Sequence, residues 1–248
     1  RAIEPGLQIL CRSELARELL VNRGRSHKIS RASSLLQESR NLHPPNLSVH
    51  VASATLRLMK NHAPTYLKHQ FLIAMPHMAD PNFAHTLTYI VEHTANGAMG
   101  LVINRPMDLS LADILEQLRP DTASAPLCQH VPIYGGGPVM VDRGFVLHPV
   151  GMSFDATVEL QDGLALSTSA DVLFSIADGR GPRRSLICLG YAGWDAGQLE
   201  AELADNAWLT CPYSAHVLFE TSSELRLDAA AKHLGVNLNL LSTQAGHS

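Results

Sequence analysis

The chain has 248 residues, 46% hydrophobic and 17% charged, with a formal net charge of −4. That length suits one or two domains of ordinary size, and no stretch approaches the ~20 apolar residues that a membrane span requires. The near-neutral total conceals a break at Met59: residues 1–58 hold nine Lys/Arg and four Asp/Glu, a net of +5, and residues 59–248 hold ten and nineteen, a net of −9. All thirteen aromatic residues and all seven Met lie after residue 58. A segment without them lacks the large side chains that anchor most cores.

Residues 1–58 contain one predicted helix, Glu14–Leu20 behind Ser13, followed by an Arg/Ser-rich run and Pro44-Pro45. They read as an extension outside the domain, disordered or loosely helical. Two other readings stand beside this one. Arg23, Arg25, Lys28 and Arg31 suggest a basic arm for nucleic acid, although it has no aromatics for stacking. Alternatively, the segment is translated upstream sequence, because the chain starts at Arg1 and Met59 is its first Met. The N-terminus has no apolar h-region, so it does not read as a secretory signal, and the expected location is cytoplasmic. Cys11, Cys128, Cys188 and Cys211 fit neither a disulfide framework nor a metal site and read as inert thiols.

After Met59 the predicted elements follow closely. Phe71–Met75 is a short apolar strand stopped by Pro76. Thr86–His93 and Ala98–Ile103 flank Asn96-Gly97, a strong hairpin signal, and Asn104-Arg105-Pro106 closes the second strand. Ser110 caps a helix over Leu111–Leu118, with Asp113 placed to complete a capping box. Val131–Tyr134 runs as a strand into Gly135-Gly136-Gly137-Pro138, and Gly144–His148 is the next strand. Thr157–Leu160 and Leu164–Thr168 form a hairpin around Gln161-Asp162-Gly163. A helix over Ala170–Ala177 starts from Thr168 or Ser169 and ends at Gly179. Ser185–Leu189 is a strand leading to the turn Gly190–Trp194. A helix over Gly197–Leu203 is capped by Asp195, short strands cover Trp208–Thr210 and Val217–Phe219, and a last helix runs from Ser223 to Leu234. Adjacent hairpins with about four interspersed helices predict an α+β single domain over 59–248.

Three groups of residues are candidates for a site. Gly136 and Gly137 free backbone N–H groups that could cradle an anion, but no Lys or Ser/Thr follows at a helix start, so a tight turn or bulge is the simpler reading. Trp194, Gln198 and Glu202 occupy the densest motif. Gln198 and Glu202 share one helical face and could line a pocket, whereas a Trp plugging the core is the plainer alternative. Asn104 and Arg105 end the hairpin, and an enzyme would bring them together with Gln198 and Glu202. The spacing of eight between His77, His85 and His93 matches no metal motif. Ser153, Ser167 and Ser169 have no base beside them in sequence. No metal, cofactor or catalytic residue is implied.

Taken in order, the motifs are Tyr66–Pro76, Asp80–Phe83, His93, Gly97–Pro106, Gly136–Val139, Gly190–Trp194, Gly197–Glu200 and Trp208. This series resembles the bacterial YqgE/AlgH family from Met59 to the C-terminus. The resemblance implies an α+β fold of several coiled β-sheets, a cytosolic location, and a regulator of transcription linked to alginate production. It implies no reaction and no cofactor. The expected function is therefore regulation through a protein partner or a small ligand. One alternative is an enzyme with an unidentified small-molecule substrate. Another is direct DNA binding, which a body of net −9 disfavours because duplex binding needs Lys/Arg to neutralise phosphates.

Overall fold

The structure is a computed structural model and describes residues 66–120, 126–238 and 240. The extension 1–58, its predicted helix and the Met59 boundary lie outside the described residues.

Among the described residues the strands are β1 (Gln70–Ala74), β2 (Leu87–Thr94), β3 (Gly97–Val102), β4 (Pro106–Ser110), β5 (Pro132–Gly135), β6 (Val139–Pro149), β7 (Thr157–Glu159), β8 (Leu164–Ser167), β9 (Leu186–Trp194) and β10 (Trp208–Pro212). The helices are α1 (Leu111–Leu118), α2 (Ala170–Ala177), α3 (Gln198–Ala204), α4 (Ala215–Phe219) and α5 (Ser223–His233), with a 3₁₀ turn at Pro126–His130. The fold is α+β. The strands join in the order β10-β1-β2-β3-β9-β6-β8-β7, and β5 pairs with both β4 and β9. The β5–β9 ladder is parallel and all other ladders are antiparallel.

The long strand β9 holds the sheet together. Its C-terminal part pairs with β3, Trp194 opposite Ala98, while Leu186–Leu189 pairs with β6 and Ile187–Leu189 with β5. Gly190–Trp194 is therefore strand and not the expected turn. Gly190 has φ +73°, and this one left-handed residue bends the strand between its two sets of partners without ending it.

Side chains alternate across the sheet as a period of two requires. Phe71 and Ile73 of β1 join a core with Tyr89, Leu101, Val217, Leu218 and Ala230, beneath α4 and α5. Leu72 and Ala74 join Ile90, Trp194, Leu199 and Trp208, beneath α3. A third cluster packs Leu111 and Leu115 of α1 and Val172 and Leu173 of α2 against Val146 and Ile187.

The predicted helix over Leu111–Leu118 is present with its capping box: Asp113 N–H donates to Ser110 Oγ, and Ser110 N–H donates to the Asp113 carboxylate at 2.7 Å. Two local expectations are corrected. Val217–Phe219 is not a strand but the end of α4, where Ser214 Oγ accepts from Val217 N–H; so short an apolar run carries no decisive period. Asp195 does not cap α3 with its side chain, because Gly197 at φ +78° is the N-cap. β3 ends at Val102, ahead of Asn104-Arg105-Pro106 as expected, and Pro106 then opens β4, an edge strand that tolerates its missing N–H.

Candidate functional site

Trp194, Gln198 and Glu202 do converge. Glu202 lies one turn after Gln198 on α3, and Gln198 Nε2 donates to Glu202 Oε1 at 2.9 Å. The other carboxylate oxygen accepts the indole N–H of Trp194 at 2.9 Å and that of Trp208 at 2.7 Å. Gln198 Oε1 in turn accepts the N–H of Asp195 at 3.0 Å. Phe83 fills the remaining side, stacked on Trp194 with centroids 6.0 Å apart and edge-on to Trp208 at 5.5 Å. The carboxylate thus satisfies two otherwise orphaned buried donors and ties α3 to β9 and β10. Glu200, two residues earlier, turns toward buried His93. That ring accepts Leu67 N–H at Nδ1 (2.9 Å), so its proton sits on Nε2 and points at Glu200 Oε1, 3.0 Å away.

Asn104 and Arg105 work on the loop that carries Phe83. Arg105 donates to the carbonyls of Asn82 (2.8 Å) and Ala84 (2.7 Å). Asn104 accepts Leu87 N–H at 2.8 Å and donates to the carbonyl of His85 at 3.0 Å. These two residues therefore reach Trp194 only through the Phe83 ring, and their polar atoms do not meet those of Gln198 and Glu202. Gly136 and Gly137 lie where the chain crosses β9. A Cβ on Gly136 would stand 2.3 Å from the Gly190 carbonyl oxygen, and one on Gly137, at φ +150°, would stand 2.2 Å from Tyr191 carbonyl carbon. These glycines serve a close approach of two backbones.

A cleft of about 160 Å³ lies elsewhere, between α1, α2 and the sheet. Its walls are Ile114 and Leu118 of α1, Leu173 of α2, Val146 of β6, and Ile187 and Leu189 of β9. Polar atoms come from Asp142 and from the Ser167–Ala170 junction between β8 and α2. Val146, Leu173 and Ile187 are buried and form the floor, whereas Leu118, Asp142 and Ala170 are exposed at the mouth. Apolar walls with a few convergent polar groups are the usual make-up of a small-molecule site. Gly144 also lines the cleft, and a Cβ there would meet nothing within 4 Å. Its φ is not left-handed, so the backbone does not demand glycine at this position.

Beneath the cleft a pair of residues is joined by strand register. Val146 faces Ser167 and His148 faces Ala165, which puts His148 and Ser167 diagonally on one face. Ser167 Oγ lies 2.8 Å from His148 Nε2 and 2.8 Å from Thr157 Oγ1, and His148 Nδ1 is 2.8 Å from the Pro149 carbonyl. The Pro149 carbonyl can only accept, so Nδ1 carries the proton, Nε2 accepts from Ser167, and Thr157 donates to Ser167. This is the serine–base contact that sequence adjacency did not show. His148 and Ser167 are nonetheless fully buried, so the chain of bonds straps β6, β8 and β7 together without presenting a nucleophile to solvent.

Cys128, Cys188 and Cys211 are free and buried, and burial pushes the Cys188 and Cys211 thiols up, away from the reactive thiolate. Among the described residues no three His, Cys, Asp or Glu side chains gather as metal ligands, and no helix is long and apolar enough to cross a membrane.

The AlgH-like family model matches residues 71–239. A UPF0301 protein of Pseudomonas fluorescens strain Pf0-1 is 77% identical over 190 residues, covering 77% of this chain and 100% of the relative. A UPF0301 protein of Pseudomonas aeruginosa strain UCBPP-PA14 is 67% identical with the same coverage. The solution structure of the AlgH protein of Pseudomonas aeruginosa matches with a TM-score of 0.64 at 67% identity, over 77% of this chain and 100% of that one. A crystal structure from Corynebacterium diphtheriae shares the fold, with a TM-score of 0.55 at 18% identity over 71% of this chain and 91% of that one.

Proposed function

We propose that this chain, which belongs to the AlgH-like family, is a regulatory binding protein that responds to a small ligand held in the α1–α2 cleft. The observation that carries this reading is the cleft itself, with its apolar walls, free polar groups at the mouth, and a glycine at 144 that the backbone does not need. Leu118, at 47% exposure, lines the mouth, and Met140 and Val141, at 42% and 62%, precede Asp142 in β6. They supply apolar surface on which a protein partner would read whether the cleft is occupied.

An alginate-linked role in the control of transcription then falls to that partner, in the cytoplasm, and not to direct contact with DNA. Arg180, Arg183 and Arg184 form a local basic group in the domain sequence, and two of them are ion-paired: Arg180 with Asp178 at 2.5 Å, and Arg184 with Glu220 at 2.6 Å. We place the domain boundary at Met59, and the 190-residue length of the matching relatives supports it.

The test is an NMR titration of the full chain with benzene-sized apolar probes. Shifts concentrated at Val146, Leu173, Ile187 and Leu189, and abolished in Gly144→Val, are expected. Shifts spread over the surface, or unaffected by Gly144→Val, would overturn the reading.

A further inference from the structure

We infer that the ligand of the α1–α2 cleft is a small molecule with a short apolar body and an ammonium head, the head held by Asp142 and Thr168. This rests on the cleft being the binding site proposed above and adds the chemistry of what enters it. A cavity of about 150 Å³ lined by Leu, Ile and Phe holds benzene, and this cleft, at about 160 Å³, has apolar walls in Ile114, Leu118, Val146, Leu173, Ile187 and Leu189. The body is therefore a single ring or a short branched chain.

The head group follows from which polar atoms at the mouth are already engaged. Ser169 Oγ accepts Ala156 N–H at 3.0 Å and donates to the Asp171 carboxylate. The Asp171 carboxylate also accepts Asp155 N–H (2.8 Å) and Val172 N–H (3.0 Å), so it is occupied and places a negative charge in the first turn of α2. That charge offsets the positive end of the helix and removes the reason to expect an anion there. Ser167 is committed to His148 and Thr157. What remains are the Asp142 carboxylate and the Thr168 hydroxyl, neither of which has a hydrogen-bond partner among the described residues. Among the described residues Asp142 is the one charged side chain in the cleft wall. No Lys, Arg or His among the described residues forms an ion pair with it: Arg180 and Arg184 are paired elsewhere, and the Arg119 guanidinium lies over the Phe174 ring, 3.4 Å from its centroid. An ammonium group donates to a carboxylate and a hydroxyl at once, and it gains the charge assistance that a neutral hydroxyl lacks.

The experiment compares three probes of matched body, cyclohexylmethylamine, cyclohexylmethanol and cyclohexanecarboxylate, titrated into the full chain and into Asp142→Asn, Thr168→Val and Gly144→Val. The amine is expected to bind about two- to fivefold tighter than the alcohol, the ratio that an ion pair at an exposed carboxylate supplies. The carboxylate should be the weakest of the three. Asp142→Asn should erase the preference while the alcohol binds as before, and Gly144→Val should exclude all three from a folded protein. Equal binding of the three probes, or an amine preference that survives Asp142→Asn, would overturn the head-group assignment and leave the cleft standing. Failure of every probe to bind would overturn the cleft as well.

Discussion

Glu202 Oε2 lies 2.7 Å from the indole nitrogen of Trp208 and 2.9 Å from that of Trp194, so one carboxylate oxygen holds both tryptophans of the chain. Trp194 and Trp208 are 1% and 4% exposed, and removal of the carboxylate leaves two buried donors unpaired. Glu202→Ala is therefore expected to destabilise the domain by about 2–4 kcal/mol, since each orphaned donor costs about 1–3 kcal/mol. Glu202→Gln keeps an amide oxygen that can accept and should cost about 1 kcal/mol. Urea unfolding at neutral pH measures both, and equal losses in the two variants would contradict the clamp.

Arg105 reaches the same aromatic cluster indirectly. Its guanidinium holds the carbonyls on either side of Phe83, and Phe83 covers both indoles. Arg105→Met should cost about 2 kcal/mol for the lost charged hydrogen bonds. It should also shift tryptophan emission to the red as the Phe83 loop loosens. An unchanged emission spectrum with lowered stability would show that the loop does not depend on Arg105.

Where structure was legible in the sequence, the signal was local. Ser110 and Asp113 announce their capping box three residues apart. Gln161-Asp162-Gly163 announces its turn, and Asp162 and Gly163 do take φ values of +56° and +71°. Gln198 and Glu202 announce a shared helical face. What stayed hidden depends on partners distant in the chain. The glycines of Gly190–Trp194 look like a turn until Gly137 and Val139 are seen packed against Gly190. The His148–Ser167 contact needs the register of β6 on β8, and β7 lies between those two strands in sequence but outside them in space. The cleft draws on residues from Ile114 to Leu189 in five elements, so no spacing could reveal it.

His69 joins the start of β1 to the β7–β8 turn. Its Nε2 accepts Gln161 N–H at 3.3 Å, which leaves Nδ1 to donate to Tyr89 Oη at 2.7 Å. Burial, reinforced by the Lys68 charge and opposed by Asp162 and Glu92, holds its pKa below 6.5. The unfolded chain thus binds this proton more readily than the folded one. The stabilisation is complete above about pH 6.5 and is lost as pH falls below that value toward the lower folded pKa. His69 has φ +63°, so Asn is the suitable replacement, being a residue that tolerates this backbone and does not titrate. Urea midpoints taken between pH 7.5 and 5 should fall more steeply for the native chain than for His69→Asn. Parallel slopes would remove His69 as the cause.

Gly136 and Gly144 lie eight residues apart, and alanine should act on them in opposite ways. At Gly136 the new methyl would stand 2.3 Å from the Gly190 carbonyl oxygen and 3.0 Å from Cys188 Cβ, so either β9 or the loop must move. Overpacking of this kind costs about 1–3 kcal/mol, and more where the clash is with backbone. At Gly144 the methyl meets nothing within 4 Å and the backbone is not left-handed. Gly144→Ala reduces the freedom of the unfolded chain and should raise stability by about 0.4–1 kcal/mol. It should also narrow the cleft and weaken probe binding there. Stability that rises while binding falls is the signature of a glycine retained for the site and not for the fold. If Gly144→Ala lowered both, the fold itself would require glycine at 144, and the cleft would lose its strongest support.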